Sequence, residues 1–218
     1  MRAHIRFEGK KVIIPFDHQP MLVGAIHKWL GKNMEHGRLS LYSFSRLEGA
    51  IKQEDGLQFE YGGKFFFSSH DPGLVKRLLS GVQSSPDMFL TLRVVEIILQ
   101  EDPDLSQQST FFPASPIFIK RRIDGNIKHI LYNEEEAGDY LEETTRNKMQ
   151  DIGLEDDALQ IRFEQTCHWA GTKKINYKGI NNKANWCSVS IHAKPETKRF
   201  IWNVGLGNST GIGFGAIK

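Results

Sequence analysis

Proton transfer near neutral pH is the first chemistry this sequence can support. It holds eight histidines, His4, His18, His27, His36, His70, His129, His168 and His192. Imidazole has an ordinary pKa of about 6.5, so acid and base forms coexist near pH 7 and either can serve a reaction. Cys167, His168, Cys187 and His192 include metal-ligating types, but their spacing fits no standard finger or ribbon. Small buried cysteines in neighbouring strands are expected there instead, with no metal. A third group is basic. Between Thr166 and Phe200, Lys173, Lys174, Lys178, Lys183, Lys194, Lys198 and Arg199 face the single acid Glu196, interleaved with Trp169, Tyr177 and Trp186. Bases among aromatics suit phosphate contacts combined with base stacking, and Lys120, Arg121 and Arg122 add a second cluster. The plainer alternative for any lysine run is a solvated face.

Five of the 20 glycines fall within Gly205 to Gly215, in the string VGLGNSTGIGFGAIK. A dinucleotide fingerprint would need a helix after it to receive the pyrophosphate, yet only Ala216, Ile217 and Lys218 follow. A phosphate-cradling P-loop ends in Gly-Lys-Ser/Thr, whereas Gly211 is followed by Ile212. Two readings survive: a flexible C-terminal hairpin, or a loop whose bare backbone brings amide groups close to a ligand's phosphates.

These residues need elements to hold them. Arg2 to Phe7 alternates with the period of a half-buried strand, extended by Lys11 to Phe16. Pro20 opens a helix with apolar residues at Leu22, Ala25, Ile26, Trp29 and Leu30, and Gly31 is its stop. His27 falls roughly 130° from the centre of that apolar face and so stays out of the core. Strands follow at Leu39 to Leu47, Leu57 to Tyr61 and Lys64 to Ser69. Asp71-Pro72 then caps a helix with apolar residues at Leu74, Val75, Leu78, Leu79 and Val82, and Phe89 to Leu99 closes the half as a strand. The order β-α-β-β-α-β is the ferredoxin-like unit. Glu101 to Ser109 reads as a linker. Beyond it, strand is expected at Thr110 to Ile123, helix at Glu134 to Gln150, and strand at Leu159 to His168, Trp186 to Ala193 and Arg199 to Val204. The expected fold is therefore α+β, with two tandem ferredoxin-like domains. Residues 1–104 form the first, and residues 105–218 form a degenerate second domain whose second helix is missing or replaced by a hairpin and the glycine-rich tail.

A glycine loop of the form G-x-G-x-x-x-G-x-G-x-G closing such a chain resembles the CRISPR-associated repeat-processing endoribonucleases. These are the sixth Cas family, within the repeat-associated mysterious protein superfamily. HQPMLVGAIHKWL (His18 to Leu30) resembles the family's first helix, LYSFSRL (Leu41 to Leu47) its F-T-F-S-x-L strand, and STFFPASPIFIKRR (Ser109 to Arg122) the segment opening its second domain. The resemblance implies metal-independent cleavage of CRISPR precursor RNA within each repeat, with no cofactor. The 2′-hydroxyl attacks the neighbouring phosphate, leaving a 2′,3′-cyclic phosphate and a 5′-hydroxyl. It places the catalytic histidine of the post-helix loop at His36 and a second catalytic residue, by register through LVGAI, at His27. Many members carry a lysine at the start of the next strand. Here Leu39, Ser40 and Leu41 stand there, so Arg38 is the nearest cation and Lys32 the fallback. The implied RNA-binding residues are Lys120, Arg121, Arg122, Lys173, Lys174 and Lys178, with Gly205, Gly207, Asn208, Ser209, Gly211 and Gly213 of the loop. The implied partner is CRISPR repeat RNA, with other CRISPR-associated subunits and a homodimer left open. The alternative is a non-catalytic RNA-binding subunit of the same fold that holds processed CRISPR RNA. Such a subunit has no need of two histidines at the catalytic places. A nucleotide-binding regulatory domain is a weaker third idea, since the tail lacks the helix it would need.

Composition excludes other classes. The 218 residues carry 25% charged and 39% hydrophobic side chains, an ordinary globular mixture. No apolar run approaches the roughly 20 residues of a membrane-spanning helix. Met1 to Glu8 lacks the apolar core of a signal peptide, and two cysteines are too few for a disulfide scaffold, so a reduced cytoplasmic protein is expected. The net charge of +2 conceals segregation. Glu134, Glu135, Glu136, Asp139, Glu142, Glu143, Asp151, Glu155, Asp156 and Asp157 cluster in one stretch against Arg146 and Lys148. Screening acts within about 10 Å, so acids there need not cancel the basic stretch elsewhere.

Overall fold

The computed structural model describes residues 1–31 and 39–218. The opening alternation becomes β1 (Arg2–Phe7), with Ala3, Ile5 and Phe7 buried and Arg6 exposed, because successive strand side chains face opposite ways. After β2 (Lys10–Ile14) comes α1 (Gln19–Leu30), which buries Leu22, Val23, Ala25, Ile26, Trp29 and Leu30 and ends at Gly31. The chain continues through β3 (Tyr42–Phe44), β4 (Ile51–Lys52), β5 (Leu57–Phe59) and β6 (Gly63–Ser69). It then forms α2 (Pro72–Ser84), whose N-cap Asp71 accepts from the Gly73 amide at 2.7 Å, and β7 (Val94–Gln100). The sheet order is β3-β6-β1-β7 with every neighbouring pair antiparallel, which is the ferredoxin-like arrangement. Strands β2, β5 and β4 form a small side sheet.

The second half repeats the plan with two hairpins inserted. Its elements are β8 (Thr110–Phe111), β9 (Lys120–Ile123), β10 (Asn126–His129), α3 (Ala137–Gln150), β11 (Gln160–Phe163), β12 (Gly171–Tyr177), β13 (Ile180–Trp186), β14 (Val189–His192) and α4 (Pro195–Val204). The sheet runs β11-β14-β8. The fourth position is taken by the chain end, where Ile217 bridges Pro113 and the backbones of Phe112 and Lys218 exchange hydrogen bonds of 2.8 Å each. The protein is thus α+β with two tandem ferredoxin-like units, and the reduced part of the second is its last strand.

Its second helix is present as α4, so residues 199–204 are helical where the sequence suggested strand. Ile201, Trp202 and Val204 favour strands locally. Pro195 nevertheless sits in the first helical turn, and Thr197, Phe200, Ile201 and Val204 bury one stripe against the sheet, so packing overrides propensity. The expected strand from Thr110 to Ile123 is interrupted after Phe111, since Pro113 and Pro116 have no amide to donate to a ladder. The one from Trp186 to Ala193 divides between β13 and β14.

The two halves are joined through Arg2. Its side chain is buried, and its Nη2 donates to the carbonyls of Trp202 and Ile217, each at 2.9 Å. The guanidinium carbon lies 3.7 Å from the Phe66 ring centre and 3.4 Å from that of Trp202, a double cation–π arrangement. Burial pushes its pKa down to about 9, with Asp102 acting in the opposite direction. Beside it, Ser43 Oγ donates to the Asn203 carbonyl at 3.1 Å, and the N-terminal ammonium donates to Asn203 Oδ1 at 2.9 Å. Replacing Arg2 by Met keeps the bulk but strands two buried carbonyls. Arg2→Met is expected to lower unfolding stability by roughly 2–4 kcal/mol, measured as a shift of the denaturant midpoint.

Candidate functional site

The glycine-rich tail is packed between the two halves. Its neck is closed by a hydrogen bond from the Leu206 amide to the Gly215 carbonyl at 2.8 Å. On the C-terminal side, Phe118 bridges Gly207, the Asn208 amide donates to the Phe118 carbonyl at 2.7 Å, and Asn208 Oδ1 accepts from the Lys120 amide at 2.8 Å. On the N-terminal side, Gln19 Nε2 donates to the Ile212 carbonyl at 2.5 Å, Thr210 Oγ1 to the Ser40 carbonyl at 3.3 Å, and the Tyr42 hydroxyl to the Gly211 carbonyl at 3.3 Å. Two glycines show why the string is so rich. Gly215 has φ +71°, and a Cβ there would lie 1.9 Å from the Leu206 carbonyl oxygen; one on Gly211 would lie 2.3 Å from Ser40 Oγ. Gly205, Gly207 and Gly213 are likewise buried. Asn208, Ser209 and Ile212 are its half-buried members, so the string is a packed loop rather than a free hairpin.

His27 stands at the foot of this loop. It is half-buried on α1, and its Nε2 lies 3.3 Å from the Tyr42 hydroxyl oxygen. The Tyr42 hydroxyl thus meets the Gly211 carbonyl on one side and His27 Nε2 on the other. The other two catalytic candidates, His36 and Arg38, and the fallback Lys32, lie outside the described residues.

The basic residues separate into groups. Lys173, Lys174 and Lys178 are exposed on the β12–β13 hairpin, whose turn has Lys178 and Gly179 both in the left-handed region, at φ 51° and 81°. That pair of angles gives the tight two-residue turn which matches strand twist. Lys174 and Asn176 reach over the tail and line a cleft of about 180 Å³ with His18, Arg46 and Gly213. Burial pushes the His18 pKa down, against a hydrogen bond of 2.9 Å with the Pro15 carbonyl that raises it. Lys120 and Arg122 are exposed on β9, whereas strand alternation turns Arg121 inward. It pairs with Glu143 at 3.0 Å and lies 4.5 Å from the Tyr140 ring centre. Lys198 is buried and donates to the Ser106 carbonyl at 3.2 Å, while Lys194 donates to that of Glu155 at 3.2 Å. These two lysines of the basic stretch therefore tie down α4 instead of joining the hairpin. The acids of α3 pair with Arg121 and Arg162, while Lys173, Lys174 and Lys178 have no ion pair with a described residue. Cys187 is buried, which raises its pKa to about 11. Among the described residues no three His, Cys, Asp or Glu side chains are grouped to hold a metal ion.

On the other side of the loop, Lys148 of α3 is only 3% exposed, and its Nζ donates to the Gly205 carbonyl at 3.2 Å and to Thr210 Oγ1 at 3.5 Å. Burial pulls its pKa down to about 7.

A profile of the family described as CRISPR associated protein Cas6, C-terminal, matches residues 99–218, more than half of the chain. The chain belongs to the Cas6 family. No curated protein matches it. The fold is shared along its whole length with several solved structures. A protein described through a Cas6-related gene from Pyrococcus furiosus superposes with a TM-score of 0.83 at 19% identity, covering 100% of this chain and 97% of that one. A CRISPR associated protein Cas6 gives 0.82 at 15% identity, covering 100% and 98%. A RAMP protein described as binding different RNA substrates gives 0.81 at 18% identity, again covering 100% and 98%. Among the described residues, no helix is long and apolar enough to cross a membrane.

Two residues at this Cas6-family site escape the pattern-based reading. Tyr42 is one, read only as part of a strand. Lys148 is the other, and its signal is present: it lies seven residues after the buried Leu141 and four after the buried Thr144, so helical spacing places it on the packed face.

Two outcomes follow from this geometry. Gly215→Ala should destabilise the fold by about 2 kcal/mol or more. Gly171→Ala, where nothing lies within 4 Å of the added carbon, should stay within about 0.5 kcal/mol in the same denaturant titration. Lys148 makes stability depend on pH. The unfolded chain keeps this proton up to about 10.5, the folded chain only up to about 7. Stability should therefore climb as pH rises from 7 to 10.5, and Lys148→Met should remove that part of the slope.

Proposed function

We propose that this Cas6-family chain is a metal-independent endoribonuclease that cuts CRISPR precursor RNA within its repeats. The observation that carries this reading is His27, half-buried at the foot of the glycine loop with its Nε2 held by Tyr42. An imidazole oriented by one ring nitrogen is suited to move a proton with the other. In the reaction a base takes the 2′-hydroxyl proton, the 2′-oxygen bonds to phosphorus, the bond to the 5′-oxygen breaks, and an acid gives that oxygen a proton. The products are a 2′,3′-cyclic phosphate and a 5′-hydroxyl. His27 and His36 take the two proton-transfer roles, and Arg38 supplies the cation at the phosphorane, the last two on the family resemblance. Residues 1–104 form the unit that carries these groups, and residues 105–218 the unit that binds RNA. The exposed lysines of the β12–β13 hairpin, with Lys174 beside Gly213, and Lys120 and Arg122 of β9, whose backbone meets Asn208, give that unit basic groups close to the loop. The likeness in fold to the RAMP protein that binds different RNA substrates supports RNA as the ligand.

The test is cleavage of the CRISPR repeat RNA of the same genome in the presence of a chelator. The same RNA with a 2′-deoxy sugar at the cut site is the comparison. Cutting of the first but not of the second is expected, with a cyclic phosphate on the upstream fragment. His27→Ala and His36→Ala should each slow single-turnover cleavage by roughly 10²–10⁴-fold. Tight binding with no cleavage of the unmodified repeat would instead establish the non-catalytic RNA-binding subunit.

A further inference from the structure

A cleft of about 250 Å³ opens between α3 and the glycine loop, lined by Ser40, Arg121, Asn147, Lys148, Asn208 and Ser209 among others. None of its described lining residues is a carboxylate. Lys148 is buried there, and the two bonds of its Nζ go to uncharged oxygens, the longer at 3.5 Å. Such a group has three donors, among the described residues no carboxylate bonds to it, and burial pulls its pKa down. Arg121 is paired with Glu143 and donates to the Tyr140 carbonyl, but its Nε is buried with no hydrogen-bond partner among the described residues. Burying a charge without a counter-charge destabilises a fold, and an apolar side chain of similar volume is often better tolerated. Stability therefore does not explain a lysine at this position, but an anion would. Lys148, with the hydroxyls of Ser40 and Ser209 and the side-chain amides of Asn147 and Asn208 around the cleft, matches the many acceptors of a tetrahedral oxyanion.

We propose that this cleft binds a single phosphate group, with Lys148 as its buried cation, and that the phosphate is one of the RNA backbone. The assignment of the source rests on the RNA reading above; the site itself does not. Binding would draw Lys148 toward its protonated form and complete the bonds that the loop leaves unmade. The loop would then be clamped from beneath at Gly205 and Thr210 while the ligand occupies the cleft.

The full-length chain can be examined by NMR of its lysine side chains, with the Lys148 signal identified by its loss in Lys148→Met. Two probes are added separately: inorganic phosphate, and repeat RNA made resistant to cleavage by a 2′-deoxy sugar. The expected result is that the RNA moves the Lys148 signal and raises its titration midpoint above about 7. Lys148→Met, still folded by thermal melting, should bind the RNA about tenfold more weakly. If inorganic phosphate moves the signal while RNA binds without moving it, the phosphate site stands and its RNA source is overturned. If phosphate moves the signal and RNA does not bind at all, the site stands and the RNA reading of the protein fails. A signal indifferent to both probes would sink the proposal, as would an equally tight RNA complex of Lys148→Met. Should that variant fail to fold, the titration of the unaltered chain decides alone, with the Lys148 signal assigned through Lys148→Arg.

Discussion

The arrangement depends on how closely one stretch of backbone approaches its neighbours. From Gly205 to Gly215 the chain leaves α4, folds back on itself and wedges between β3 and the strand that leads into β9. Where Gly211 meets Ser40, and where Gly215 meets the carbonyl of Leu206, even one methyl group would collide with protein atoms. Backbone hydrogen bonds formed at that distance replace side-chain packing: Leu206 to Gly215, Asn208 to Phe118, and Gly215 to Pro116. The tail thereby couples the last helix of the second half to the first helix and second sheet strand of the first half. Arg2 performs the same coupling a short way along the junction, gripping the carbonyls of Trp202 and Ile217.

That coupling shapes the chemistry. Tyr42 belongs to the first sheet but spends its hydroxyl on the tail, and so presents its oxygen to His27. The loop is therefore linked to this histidine through Tyr42. Beneath it Lys148 holds the loop through Gly205 and Thr210, and burial makes its charge conditional on pH and on what enters the cleft. A half-buried histidine and a buried lysine are thus both tied to one loop, His27 through Tyr42 and Lys148 directly.

Much of the fold was legible from periodicity. Both helices of the first half follow from their apolar spacing and their punctuation by Gly31 and Asp71-Pro72, and the period of two in β1 is plain. His27 could be placed off the core by helical angle alone. Three features were not legible, each for a physical reason. The helix at Pro195–Val204 is written in residues that favour strands, so only its buried stripe reveals it. The basic stretch from Thr166 to Phe200 looks continuous along the chain, yet Lys173, Lys174 and Lys178 sit on a hairpin while Lys194 and Lys198 fasten α4. Lys148 reads as the charge of an acidic, solvated helix until Leu141, Thr144 and Met149 are seen to be buried beside it.

The sequence by itself determined the element order of the first half, the family pattern and the residue types able to transfer protons, because these depend on local spacing along the chain. Only the tertiary structure decided that the glycines serve close packing at the junction, that Tyr42 holds His27, and that Lys148 is buried with its Nζ on two uncharged oxygens. Those properties arise from contacts between separate elements, 169 positions apart in the case of Tyr42 and Gly211, or from burial by another element. Local composition carries no record of either.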